Sequence, residues 1–171
     1  MQQFDASNVY AEFAPKIYRF CLRLSGNRTD AEDLTAETLN TLVGSRIAFE
    51  GRSSIDTYLY RIARNRWRML VRREKIRRLL GAGAPQSGVE VDVGRVALGI
   101  AIDRLSPKLK ESFLLVRAEG LTHKEAAEIL RCPVGTVQAR VFQATKNIRA
   151  ALIEVDPQFV PDEVALKEVR S

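Results

Sequence analysis

Five polar residues on one predicted helix make the clearest chemical arrangement in the chain. Arg61, Arg64, Asn65, Arg68 and Arg72 lie at helical offsets from one another, so a helix through them presents a row of guanidinium groups and one amide. Such groups suit phosphate oxygens, which they can bind through paired N–H donors. Periodicity alone leaves other uses open: a solvated basic face, a membrane-surface segment or a helix for an acidic partner groove. Tyr58, Tyr60 and Trp67 are interleaved with this row. Unpaired bases stack on such rings, although core packing is the expectation for at least one of the three.

A second arrangement lies near the other end. Val137, Val141, Ala144 and Ile148 form an apolar stripe, which turns Gln138, Ala139, Phe142 and Gln143 outward, with Lys146 and Arg149 further along. Glutamine can pair with adenine through two hydrogen bonds, and an outward Phe or Ala can touch thymine methyls. The bland alternative buries Phe142 beneath a neighbouring helix. A third cluster, Asp30, Glu32, Asp33 and Glu37, complements the dipole of the helix it opens. Beside the uncharged Asn40 it also suits a protein-docking surface. His123 and Cys132 read as structural residues. No nucleophile–base pair, phosphate loop or metal-ligand set is legible, so neither an enzyme nor a cofactor or metal site is expected.

The elements that must position these groups are all helical. Apolar residues at Tyr10, Phe13, Ile17, Phe20, Cys21 and Leu24 predict a helix over 7–25, with a bend or restart at Pro15 and a stop at Gly26. Thr29-Asp30-Ala31-Glu32 reads as a capping box for a second helix, whose buried face is Leu34, Leu39, Leu42 and Val43. A third helix runs from Ser54 or Asp56 to Arg78, with the stripe Ile55, Leu59, Ile62, Ala63 and Leu70 opposite the basic row. Further on come a helix over 96–104 and one from an N-capping Ser106 to about Glu119. A helix opened by the capping box Thr122 to Glu125 follows. A turn at Cys132 to Gly135 leads into a last helix from Thr136 to Ile153. A short helix, a tight turn and a longer basic helix make a helix-turn-helix.

The fold class expected is all-α, as two small helical domains. The first covers 1–80, a flexible linker 81–95, the second 96–155 and an acidic tail 156–171.

Charge follows this division. The 171 residues carry a net +6, with a pI near 9.6. Residues 1–60 have 6 basic against 8 acidic side chains, and residues 61–78 have 9 against 1. The tail from 154 reverses to 2 against 5. Positive charge is thus focused where a polyanion would bind. Two distant cysteines make a disulfide framework unexpected. No signal peptide or membrane-spanning run is legible, so the expected location is the cytoplasm, without membrane insertion.

Taken in order, these segments resemble a known family. Asp30-Ala-Glu-Asp-Leu-Thr-Ala-Glu-Thr-Leu39 is similar to the region 2.2 helix of extracytoplasmic-function (ECF) sigma factors. Phe49 to Asn65 resembles their region 2.3–2.4. Leu105-Ser-Pro, Glu119 to Ala127 and Cys132-Pro-Val-Gly-Thr-Val137 resemble region 4. The matches cover most of residues 9–152.

The resemblance implies an alternative sigma factor that binds core RNA polymerase and promoter DNA and directs transcription initiation. By the same token Asp33, Glu37 and Asn40 would face the β′ clamp helices. Phe49, Arg52, Ser53 and Ser54, with Asn65, would capture a flipped base of the −10 element, while Arg61, Arg64, Arg68 and Arg72 hold adjacent backbone. Thr136, Gln138, Ala139, Arg140, Phe142, Gln143 and Lys146 would form the −35 surface of a domain that also docks on the β flap. In the holoenzyme the protein would be associated with the nucleoid, and an anti-sigma factor is a partner the resemblance leaves open. Three positions depart from the pattern: Gln138 and Gln143, where basic residues are common, and Arg66, where a small residue is more usual. The alternative from the residues alone is a stand-alone helix-turn-helix regulator.

Overall fold

A computed structural model of the protein describes residues 6–44, 55–80 and 93–155. Every regular element among them is helical. The chain divides into two compact units, Met1–Gly88 and Val89–Ser171.

The first unit is built from α1 (Ala6–Ser25), α2 (Arg28–Gly44) and α3 (Ile55–Leu79). On α1 the buried positions Phe13, Ile17, Phe20, Cys21 and Leu24 repeat at helical spacing and make its core face. The helix continues through Pro15 and does not restart there. Both Pro15 and Ala11, whose carbonyl loses its N–H partner to the proline, are exposed, so water can take the missing bond. Gly26, at φ 75°, ends the helix in the left-handed region.

One residue later Asn27 starts α2. Its Oδ1 accepts from the N–H of Asp30 at 2.8 Å, and its Nδ2 donates to Asp30 Oδ2 at 2.7 Å. The cap is therefore Asn27, and Thr29 already lies inside the helix. Asn is at least as good a cap as Thr, and it stands next to the glycine that frees the chain from α1. Along α2 the core face is Ala31, Leu34, Leu39 and Leu42, together with Thr35 and Thr38. The two buried hydroxyls donate to the carbonyls of Ala31 and Leu34, each at 2.6 Å. This removes the cost of burying them. Val43, expected inside, is exposed.

The buried face of α3 differs from the expected one. It consists of Thr57, Leu59, Tyr60, Ala63 and Trp67, while Ile55, Ile62 and Leu70 are half-buried. The buried face lies about a quarter turn of a 3.6-residue helix away from the expected aliphatic stripe. The aromatics carry the packing instead: Phe20 and Tyr60 meet edge to face, with centroids 4.9 Å apart. Lys16 lies over the Tyr60 ring at 5.4 Å and pairs with Asp56 at 2.9 Å, tying α1 to the start of α3.

The second unit contains α4 (Val93–Asp103), α5 (Pro107–Phe113), a π-helical continuation over Leu114–Ala118, α6 (His123–Leu130) and α7 (Val134–Val155). Helix α4 begins inside the segment expected to be linker. Ser106 opens α5 through its carbonyl, which accepts from Leu109 and Lys110 at 3.0 and 2.9 Å, and its hydroxyl makes no cap. Within the π turn the N–H of Glu119 reaches back to the Leu114 carbonyl at 2.9 Å, and Gly120 at φ 71° ends it. The core joins Phe113, Leu114 and Leu115 to Ile129 and Leu130 and to the α7 stripe. Lys110 is buried, and its ammonium is satisfied by Asp103 at 2.7 Å.

Candidate nucleic-acid and protein interfaces

The rotated core face of α3 changes how its basic row is presented. With Tyr60, Ala63 and Trp67 buried, the row flanks the core stripe instead of opposing it. Arg61, Arg64 and Arg68 are accordingly half-buried, and only Asn65 and Arg72 of the row are exposed. Partial burial restricts the alkyl stems of these long side chains. Two local contacts orient the row further. Arg61 lies over the Tyr58 ring at 5.6 Å, and Arg64 Nη1 donates to Asn65 Oδ1 at 3.0 Å. Of the three interleaved aromatics, Tyr60 and Trp67 belong to the core. Tyr58 alone is half-exposed beside the row. Phe49, Arg52, Ser53 and Ser54 lie outside the described residues.

In the second unit, the helix-turn-helix is set by local chemistry. Thr122 caps α6: its hydroxyl accepts from Glu125 N at 3.2 Å and donates to the Glu125 carboxylate at 2.7 Å, while its N–H reaches the same carboxylate at 2.8 Å. The hydroxyl first, and the N–H second, hold the Glu125 carboxyl below its ordinary value. Arg131 then takes the left-handed conformation, φ 52° and ψ 51°, that closes α6. The Pro133 carbonyl accepts from Thr136 and Val137, so α7 begins at Val134, two residues before the expected start at Thr136.

Val137, Val141, Ala144 and Ile148 are buried, as their spacing required. Gln138, Ala139, Gln143 and Lys146 are exposed, and Phe142 projects with 73% of its surface free. Gln143 is linked to Asn147 at 2.7 Å. Arg140 and Thr136 are half-buried, and Arg140 turns back to the Cys132 sulfur at 3.8 Å. The outward face is thus largely uncharged near the helix start, where recognition helices reach base edges.

On α2, Asp33, Glu37 and Asn40 are exposed along one side. Glu37 is paired with Arg66 of α3, and Asn40 accepts from the Tyr10 hydroxyl of α1 at 2.7 Å. Tyr10, expected only as one of the periodic positions of its helix, and Arg66, expected only as a departure from the family pattern, are the residues that reach α2. The contacts span 30 and 29 residues of chain, and no local pattern announces them. Glu32 is occupied locally by Arg28 at 2.8 Å.

Among the described residues no His, Cys, Asp and Glu side chains are grouped to hold a metal ion. No helix among them is long and apolar enough to cross a membrane.

Comparison with known proteins matches this arrangement unit by unit. The Sigma-70 region 2 family matches residues 9–77 and the Sigma-70, region 4 family residues 95–148. The ECF RNA polymerase sigma factor EcfG of Rhodopseudomonas palustris is 31% identical over 157 residues, covering 87% of this chain and 86% of the relative. SigC of Mycobacterium tuberculosis is 32% identical, over 78% of this chain and 76% of its own length. Among solved structures, the sigma factor RpoE of Bartonella quintana, in complex with the anti-sigma factor NepR, superposes with a TM-score of 0.70 at 26% identity. That match covers 88% of this chain and 97% of the other.

Proposed function

The chain belongs to the ECF sigma factors of bacterial RNA polymerase, and from that premise we propose how its residues divide the work of promoter recognition. The first domain, residues 1–80, docks on core polymerase through Asp33, Glu37 and Asn40, which meet the β′ clamp helices. Its α3 row, Arg61, Arg64, Arg68 and Arg72, holds promoter backbone. The segment Phe49, Arg52, Ser53 and Ser54, with Asn65, captures an unstacked base of the −10 element. The second domain, 96–155, presents Gln138, Ala139, Phe142 and Gln143 to the −35 element, with Thr136, Arg140 and Lys146 supporting them, and rests on the β flap. The segment before α4, whose helix begins at Val93, joins the domains.

One observation carries this reading. The same chain carries an acidic face on α2 and a separate basic row on α3 in its first unit, and a largely uncharged, Phe-bearing recognition face in its second. Phosphate contacts then supply salt-sensitive affinity, and base contacts supply sequence choice. The protein binds and remodels DNA, while polymerase performs the chemistry. Its place of action is the cytoplasm, at the nucleoid when in holoenzyme. An anti-sigma factor, such as the one bound to the Bartonella quintana relative, is a further partner we propose on that likeness.

Transcription from purified components tests the reading. Added to core polymerase, the protein is expected to confer initiation at a defined set of promoters. Tight sequence-specific DNA binding without any such initiation would favour a stand-alone regulator instead.

A further inference from the structure

The outward stripe of α2 consists of Asp33, Ala36, Glu37, Asn40 and Val43, all exposed. Its two acids mark it for a basic partner, yet α3 has already placed a cation there. Arg66 Nη1 pairs with Glu37 Oε2, and Arg66 Nη2 donates to Thr41 Oγ1 at 2.9 Å. The Thr41 hydroxyl in turn donates to the Glu37 carbonyl at 2.8 Å, so three residues on two helices close a loop. The Arg66 side chain is 35% exposed and that of Glu37 57%, which makes the arginine the anchored member and the carboxylate the accessible one. Arg66 also stands on the opposite flank of α3 from Arg61, Arg64 and Arg68. Its position around the helix turns it toward α2 and away from the phosphate row.

We infer that Arg66 is an internal counter-ion of the polymerase-docking face, holding Glu37 in the free chain and yielding it to a basic side chain of core polymerase on binding. The inference rests on the reading of α2 as the docking surface. An exposed ion pair has little net stability, so it exchanges readily. While Arg66 remains beside Glu37, it cancels the local negative field and repels an incoming ammonium or guanidinium. Arg66 therefore acts as a positioning residue that lowers the affinity of the chain for polymerase and makes binding depend on exchange of one cation for another.

The test is a titration of labelled full-length protein with purified core RNA polymerase at low and high salt. Arg66→Met keeps most of the packed stem. It is expected to raise affinity about three- to tenfold at low salt, mainly through faster association, with the gain shrinking as salt screens the charges. In a Glu37→Gln background the same substitution should give no gain. Thr41→Val, which removes one anchor of the guanidinium, should act in the same direction and more weakly. Thermal melting of each variant confirms that it folds.

Asp33→Ala reports on the docking surface separately, because Asp33 lies outside the loop. If Asp33→Ala weakens binding while Arg66→Met weakens it too or leaves it unchanged, the counter-ion role is overturned and the docking face stands. If Asp33→Ala has no effect on binding, both are overturned.

Discussion

Replacing Phe142 by alanine separates folding from recognition in the second unit, and the structure sets the size of each effect. With 73% of its surface free, Phe142 contributes little to the core of this unit. Surface substitutions of this kind change stability by about 0.5 kcal/mol or less. Alanine is also the better helix former, by a few tenths of a kcal/mol. The variant should therefore melt at the same temperature as the parent protein or slightly above it.

On DNA the balance differs. A covered aromatic side chain buries roughly 150–250 Å², and most of that area is available here. If a base edge covers about 60 Å² of it, at about 25 cal/mol per Å², the contact contributes about 1.5 kcal/mol, or roughly tenfold in affinity. The assay is a titration of the reconstituted holoenzyme on a promoter fragment selected by that holoenzyme, paired with calorimetric melting of the isolated protein. Unchanged affinity would remove Phe142 from the reading surface. A fall of about 5 °C in Tm, equivalent to about 1 kcal/mol in a unit of this size, would show that the side chain packs.

Other substitutions test the first unit and the cap of α6. Trp67→Ala should cost about 3–5 kcal/mol of stability, because the ring is buried, whereas Tyr58→Ala, at a half-exposed position, should cost much less and weaken binding to single-stranded −10 DNA. Denaturant melts and strand-binding assays on both variants separate the two roles. Arg72→Ala, at an exposed position, should weaken holoenzyme–promoter binding evenly across sequences and reduce the slope of log affinity against log salt by about one contact. The depressed Glu125 carboxyl makes its cap pH-dependent. Its contribution is complete above the ordinary glutamate range and is lost as pH falls through the lowered value. The Tm difference between the parent protein and Glu125→Gln should therefore be present at neutral pH and narrow in acid, and a difference constant with pH would refute the assignment.

Much of this architecture could be read from short-range pattern. The helix periods, the two-part division of charge, the capping box at Thr122 and the outward set on α7 depend on residues a few positions apart, and spacing along one helix is enough to fix them. The choice between neighbouring signals of equal local merit was not legible. Asn27 and Thr29 are both good caps, and the close of α1 at Gly26 decided for Asn27. On α3 an aliphatic stripe and an aromatic one compete within one turn. The core took Tyr60 and Trp67 because Phe20 of another helix meets Tyr60 edge to face there. That packing rotated the helix and set the arginine row on the flank of the core. It also brought Arg66 to Glu37 and Tyr10 to Asn40. Sequence thus determined which groups are present and which share a helix. Tertiary packing alone decided which way α3 faces, because the rotation of a helix is set by the helices it packs against.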